Sequence, residues 1–182
     1  MSTGRSRANL TRRQFVAAGV LSSAAMAIGC KGRGAQRNWD FLNEHQARTL
    51  AAICDQIIPA DGFPSASQAG VLTYIDIHLA RQFRRQQNAF RDGLEQADAM
   101  SRSKFGRALS DVPQAEQFEI AISLERDNRK FFDLVRKHTF EGYYGSPRHG
   151  GNRDAVSWRM LGLAEPPPLG RAQYDLKSGG RS

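Results

Sequence analysis

The side chains that could carry out chemistry in this sequence are few and far apart. The four histidines, His45, His78, His138 and His149, show no short spacing that would place two of them on one helical face. The sequence also lacks a His-Glu-x-x-His pair for zinc, a Cys-x-x-Cys-His site for haem and a glycine-rich phosphate loop. We therefore predict no catalytic residue, no cofactor-binding residue and no metal ligand in this chain.

The remaining reactive side chains have structural interpretations. His138 and Glu141 are three residues apart near the end of a predicted helix, where a hydrogen bond between them would orient the helix end. Cys54 lies on an apolar helical face beside Ile53 and Ile57, which predicts a buried and inert thiol. The other cysteine, Cys30, falls in a segment typical of proteolytic processing, so no internal disulfide is expected.

A glycine-rich and aromatic stretch from Thr139 to Asn152 is the most distinctive part of the chain. It follows a predicted helix rather than a strand, so its glycines are not arranged to bind phosphate. Its aromatic side chains either cap this protein's own core or form a docking surface for a larger protein. In the second case the docking residues are Tyr143, Tyr144, Pro147, His149, Asn152 and Trp158. Of these, Tyr143, Tyr144 and Trp158 either contact the partner themselves or brace the loop that does. His149 is the best single candidate to contact a neighbouring active site.

Apolar residues recur at helical spacing between residues 42 and 164, and no run alternates as a strand would. A capping-box pattern of Asn43 and Gln46 begins the first helix, which Pro59 ends. Later helices are predicted over about 67–86, over 89–100, from an N-cap at Asp111, and over 130–141. We predict an all-α fold, a compact bundle of about five helices with a glycine- and aromatic-rich C-terminal loop.

Two details of these helices bear on the surface of the domain. Phe118, Ile122 and either Ala121 or Glu125 are predicted to mark the apolar face of the fourth helix. Gly93 weakens the third helix, and the segment from Ser101 to Gly106 is predicted to end it.

The first 30 residues have the order of a signal peptide, with basic residues before an apolar run that is too short to span a bilayer. Arg12, Arg13 and Phe15 match the twin-arginine export signal, which is read by the twin-arginine translocase and carries folded proteins. Ala27 to Cys30 resembles a lipobox, in which Cys30 is acylated and tethers the chain to a membrane. If Cys30 is not acylated, cleavage nearby releases the chain into the periplasm.

The domain boundaries follow from composition. Residues 31–41 are predicted as a basic, glycine-containing linker, residues 42–164 as the helical domain, and residues 165–182 as an extended, proline- and glycine-rich tail. The formal charge of the chain is +8, and the four arginines of the signal peptide supply half of it. This modest remainder, together with the export signal, argues against nucleic acid as a partner.

These motifs, taken in order, resemble the gluconate 2-dehydrogenase subunit 3 family. The resemblance depends on the export signal and on short motifs that cover most of residues 42 to 163. One departure is Ser65, at a turn where the family often has Pro-Gly-Ala. The motifs are Asp55–Asp61, Pro64–Ala66 before Ala69–Val71, Ile75-Asp76, Gly142–Pro147, Gly150–Asn152, Trp158 and Leu161-Gly162.

The resemblance implies a small, non-catalytic subunit of a membrane-associated sugar or polyol dehydrogenase. Its large partner would carry FAD and resemble the glucose-methanol-choline oxidoreductases, and a multihaem cytochrome c, with haem c, often completes such complexes. The small subunit would support folding of the flavoprotein and supply the export signal for both. The alternative is a free-standing periplasmic lipoprotein that binds a ligand or the cell envelope.

Overall fold

The computed structural model describes residues 38–163, and within this range the chain forms helices and no β-strand. The predicted all-α bundle is confirmed, with five long helices in the predicted order and one short helix after the C-terminal loop. No helix in this range is both long and apolar enough to cross a membrane. The α-helices are α1 (Glu44–Ile57), α2 (Val71–Ala80), α3 (Gln87–Phe105), α4 (Gln114–Asp127), α5 (Arg129–Tyr144) and α6 (Val156–Met160).

The first helix, α1, is central to the bundle because it packs against α2, α3, α4 and α5. It begins at the predicted capping box: the Asn43 side chain accepts the Gln46 N–H at 2.8 Å, and the Gln46 side chain accepts the Asn43 N–H at 3.1 Å. Leu50, Ile53 and Cys54 are buried along one side of the helix, as their spacing predicts.

The second and third helices differ in length from the prediction. Gly70, with φ +84°, precedes the first residue of α2, and a 3-10 turn at Arg84–Gln86 separates α2 from α3. In contrast, α3 continues through the buried Ser101 and stops at Gly106, whose φ is +72°. The predicted break at Ser101 is wrong, because burial of a helical face outweighs the modest helix preference of serine.

The fourth helix begins later than predicted and turns a different face to the core. Asp111 is not its N-cap but lies in a 3-10 turn, and Pro113 precedes the first helical residue. The prediction that Phe118 and Ile122 face the core is also wrong, since they are 53% and 48% exposed. Apolar residues occupy both sides of α4, and those that pack inside are Ile120, Ala121 and Leu124.

The fifth helix, α5, is capped by Asn128, whose side chain accepts the Phe131 N–H at 3.3 Å. It extends to Tyr144, beyond the predicted end at Glu141. The first half of the glycine- and aromatic-rich stretch is therefore helix rather than loop.

The domain begins before residue 42, so the predicted linker over 31–41 is too long. Asp76, buried on α2, accepts the backbone N–H groups of Asp40, Phe41 and Leu42 at 2.7, 2.9 and 2.8 Å. Trp39 and Phe41 pack against the core. Residues 39–41 are thus held to the domain by hydrogen bonds and apolar contact.

Parts of three predicted regions lie outside the described residues, including residues 31–37 of the linker. Another is the signal peptide over 1–30, with Arg12, Arg13, Phe15 and Cys30. The third is the proline- and glycine-rich tail over 165–182.

Candidate docking surface

The segment from Gly145 to Asn152 follows α5 and packs back against it. Gly151 permits this approach, because a Cβ at that position would lie 2.1 Å from the Gly142 carbonyl oxygen. A Cβ on Gly142 would in turn meet the Tyr74 side chain at 3.0 Å. Both glycines therefore allow close packing between the loop, α5 and α2.

Two side chains tie the loop and α6 to the end of α5. Asn152 donates from Nδ2 to the Gly145 carbonyl at 2.8 Å, and its Oδ1 accepts the Ser157 N–H at 2.9 Å. The φ of Asn152 is +44°, a left-handed conformation that asparagine adopts more readily than most residues. Trp158 on α6 donates from its indole nitrogen to the Tyr144 carbonyl at 2.9 Å. These hydrogen bonds therefore hold the aromatic C-terminal end of α5 to the loop and to α6.

Two of the six predicted docking residues lie inside the domain. Tyr143 and Asn152 have buried side chains, and the Tyr143 hydroxyl donates to the Pro64 carbonyl at 2.8 Å. Neither side chain can touch a partner in this conformation, which for Tyr143 favours the predicted alternative that it braces the loop. They brace the loop instead. The hydrogen bond of Tyr143 joins α5 to Pro64, which is distant in sequence, and the hydrogen bonds of Asn152 join Gly145 to Ser157 across the loop.

The other four predicted residues reach the surface. Tyr144 and His149 are exposed, whereas Pro147 and Trp158 are partly buried. For these four, contact with a partner stays a prediction.

A groove between α2 and α5, which we name the Tyr144 groove, lies beside these residues. The rings of Tyr74 and His78 stack with centroids 4.1 Å apart, and those of Phe140 and Tyr144 are 6.2 Å apart. The groove is therefore largely aromatic. Its lining residues are Tyr74, His78, Gln82, Phe83, Phe140, Glu141, Tyr144, Gly145 and His149.

Glu141 connects the polar groups of the Tyr144 groove. Its Oε2 accepts a hydrogen bond from the Tyr74 hydroxyl at 3.3 Å and from His138 Nδ1 at 2.7 Å. The predicted hydrogen bond between His138 and Glu141 is thus confirmed. The other ring nitrogen of His138 lies 2.7 Å from the side-chain amide of Gln86, whose NH2 group donates to it when the ring is neutral. This network joins α5 to α2 and to the turn before α3.

Burial sets the protonation of these groups. It lowers the pKa of His138, against the opposing effect of Glu141, and it lowers the pKa of His78. Burial, together with the negative charge of Glu141, raises the pKa of Tyr74 to about 12. At neutral pH the two imidazoles are therefore neutral and the phenol is protonated. Such a groove suits aromatic contact and hydrogen bonding.

A second groove, between α4 and α5, shares Phe140 with the first, and we name it the Phe118 groove. This surface could not be predicted from the sequence, because Phe118 and Ile122 were expected to lie in the core. Their spacing of four residues indicates one side of a helix but not which side its neighbours cover. The groove is lined mainly by Ile57, Phe118, Ala121, Ile122, Phe132, Arg136 and Phe140.

Within residues 38–163, no cluster of three or more His, Cys, Asp or Glu side chains suits a metal ion. Cys54 is buried as predicted, and burial raises its pKa to about 12. Asp98, also buried, pairs with His45 and accepts the Leu109 N–H at 2.9 Å and the Thr49 hydroxyl at 3.2 Å. This carboxylate thereby joins α1, α3 and the turn after α3.

Comparison with known proteins gives one match. The family model for gluconate 2-dehydrogenase subunit 3 matches residues 44–164, a range that includes all six helices described above and the loop between α5 and α6. No curated protein and no solved structure matches the chain. The matched range is more than half of the 182 residues and contains the domain motifs of the sequence resemblance. The chain therefore belongs to the gluconate 2-dehydrogenase subunit 3 family.

Proposed function

We propose that this chain is the non-catalytic small subunit of an FAD-dependent dehydrogenase of the glucose-methanol-choline type. It supports folding of the flavoprotein, directs its twin-arginine export and stays bound to it in the periplasm. The family match over residues 44–164 carries the proposal, because the family is named for a subunit of a dehydrogenase. In this proposal the large subunit holds FAD, and a multihaem cytochrome in a third subunit holds haem c.

The exposed aromatic residues support a docking role for the Tyr144 groove. Phe140 and Tyr144 are 43% and 41% exposed, and large aromatic side chains are enriched at the centres of protein interfaces. The hydrogen bond from Trp158 fixes the backbone of Tyr144 before any partner arrives. Less conformational entropy is then lost on binding. We infer that Tyr144, Pro147, His149 and Trp158 contact the dehydrogenase.

The distribution of charge supports separate roles for the domain and its N-terminal extension. Residues 38–163 contain equal numbers of basic and acidic residues, so the net positive charge of the chain lies outside them. The basic N-terminal segment includes Arg12 and Arg13, which together with Phe15 form the proposed export signal. Acylation of Cys30, between this signal and the domain, would add a membrane tether.

Deletion of the chain tests the proposal. Cells that express the dehydrogenase without this chain should retain the flavoprotein in the cytoplasm and lose dehydrogenase activity from the periplasmic and membrane fractions. Re-expression should restore both. Affinity purification of the exported chain should recover an FAD-containing protein, detected by flavin absorbance and identified by mass spectrometry.

Two outcomes would contradict this function. An active, exported flavoprotein in the absence of the chain would remove the chaperone and export role. A chain that purifies from the periplasm as a monomer without a flavoprotein would favour the free-standing lipoprotein. The mass of the mature N-terminus would show separately whether Cys30 is acylated.

A further inference from the structure

The outer face of α4 exposes two large apolar side chains. Phe118 and Ile122 lie one helical turn apart, and both are about half exposed. Single apolar residues on a surface are ordinary, whereas a contiguous apolar group indicates a binding surface. Whether this face has a function therefore depends on what lies next to it.

Phe140 connects the face of α4 to the Tyr144 groove. It lines both the Phe118 groove and the Tyr144 groove. Along α5, Phe132, Arg136, Phe140 and Tyr144 follow at intervals of four residues, which places them in one row on the helix surface. The two grooves are therefore adjacent parts of one largely apolar surface that extends from α4 across α5.

The charges beside this surface are few and mostly paired. Arg136 Nη2 lies 2.8 Å from Asp133 Oδ1, and Arg129 Nε lies 3.5 Å from Asp133 Oδ2. Glu125 adds one carboxylate to the Phe118 groove. Since residues 38–163 carry no net charge, long-range attraction contributes little to association. The surface that fits this face is itself apolar and uncharged.

We propose that the face of α4 formed by Phe118 and Ile122 is part of the surface that binds the dehydrogenase. One continuous contact covers this face and the Tyr144 groove, and an uncharged apolar segment of the dehydrogenase lies in the Phe118 groove. The inference rests on the proposed function, because it locates the contact with the same partner. Continuity through Phe140 favours this partner over a second copy of the chain.

A double variant on α4 tests the inference. Phe118→Gln with Ile122→Gln removes the apolar groups and keeps residues that suit a helix. The matched control is Phe63→Gln, which removes a similarly exposed phenylalanine that lines neither groove. Each purified chain is titrated, by calorimetry, against the flavoprotein that copurifies with the wild-type chain. Thermal unfolding of each free chain verifies that the domain is intact.

The double variant should bind the flavoprotein at least about tenfold more weakly, whereas the Phe63 variant should stay within about twofold of wild type. The wild-type affinity should change less than about threefold between low and high salt. A double variant that binds as well as wild type, while Tyr144→Ala weakens binding, would overturn this inference and leave the proposed function intact.

Two further outcomes would also exclude this contact. If no flavoprotein copurifies with the wild-type chain, the proposed function itself fails and this inference fails with it. If the free wild-type chain is a dimer that the double variant converts to a monomer, with unchanged affinity for the flavoprotein, the face binds a second copy. That result also overturns the inference.

Discussion

His138 is the buried side chain whose protonation bears most directly on stability. His138 is 1% exposed, and its ring lies 4.5 Å from the Phe83 ring and 6.0 Å from the Phe90 ring, measured between centroids. Burial lowers the pKa of His138 below its ordinary value of 6.5, even though Glu141 favours the protonated form. As pH falls, the unfolded chain therefore binds a proton at this position before the folded chain does.

We expect the free energy of unfolding to be highest above about pH 6.5 and to decrease as pH falls below it, until folded His138 is also protonated. One proton contributes at most about 1.4 kcal/mol per pH unit. His138→Gln should flatten this dependence between about pH 7 and pH 5 in urea unfolding. A slope unchanged in His138→Gln would assign the effect to another group, such as His78.

The neighbouring tyrosines show where residue-level prediction ends. The spacing of His138 and Glu141 was sufficient to predict their hydrogen bond, because both lie on one helix. Tyr143 and Tyr144 are of one residue type but differ in helical orientation. The Tyr143 hydroxyl donates to the carbonyl of Pro64, which is 79 residues away in sequence. Only the tertiary fold could show that Tyr143 is internal and Tyr144 external.

Gly93 has a low helix preference, which weakens α3, but the packing of α3 against α5 requires a residue without a Cβ at this position. A Cβ at this position would lie 2.2 Å from the Phe131 ring of α5. Phe131 is itself buried and makes an edge contact with Phe90, so its ring has little room to move. The glycine therefore lets α3 and α5 approach closely, at the cost of backbone entropy.

Gly93→Ala should destabilise the domain by about 1–3 kcal/mol through overpacking, although alanine is preferred in helices by about 1 kcal/mol. The cost should be at least about 0.5 kcal/mol smaller in a Phe131→Leu background, because the two residues are in contact. Denaturant unfolding of the four proteins measures both effects. Ala99→Gly on the exposed side of α3 is the control and should show the ordinary helix preference. A net gain from Gly93→Ala would contradict the close packing.

Asn152 holds the connection between α5 and α6. Asn152→Ala removes the partners of the Ser157 N–H and the Gly145 carbonyl and places alanine in left-handed backbone. We expect a loss of about 2 kcal/mol or more. Hydrogen exchange should become faster at Ser157, whereas Arg148→Ala in the same loop should leave it unchanged. Equal exchange in both variants would show that Asn152 does not hold the loop.

The prediction of the elements succeeded where the determining interactions are local. The capping box of Asn43 and Gln46 is a contact within one turn, and it was evident from the residue types and their spacing. The orientation of α4 was not evident from its residues, because its apolar residues occupy two sides of the helix. Packing against α1, α3 and α5 selects which side is buried. The sequence therefore predicted the class of fold and the part of the candidate surface around Tyr144, but not the part around Phe118.

At the scale of the whole molecule, the domain and the proposed export signal should function separately. Arg12→Lys with Arg13→Lys keeps both charges but replaces the guanidinium groups, which lysine does not imitate. Because residues 12 and 13 lie outside the helical domain described over 38–163, the variant domain should unfold at the wild-type temperature and bind the flavoprotein with wild-type affinity. In cells, both the chain and the flavoprotein should then remain in the cytoplasm as an assembled complex.

Cell fractionation with copurification from the cytoplasm measures both properties of this double variant, and Cys30→Ser is the matched control. It alters the same N-terminal extension but should still be exported with its partner, and any lipid-anchored fraction should move to the soluble periplasm. Export of the twin-lysine variant would contradict a twin-arginine signal. Loss of the complex would show that the N-terminal extension takes part in docking. An intact complex that stays in the cytoplasm would locate docking in the helical domain and export in the extension.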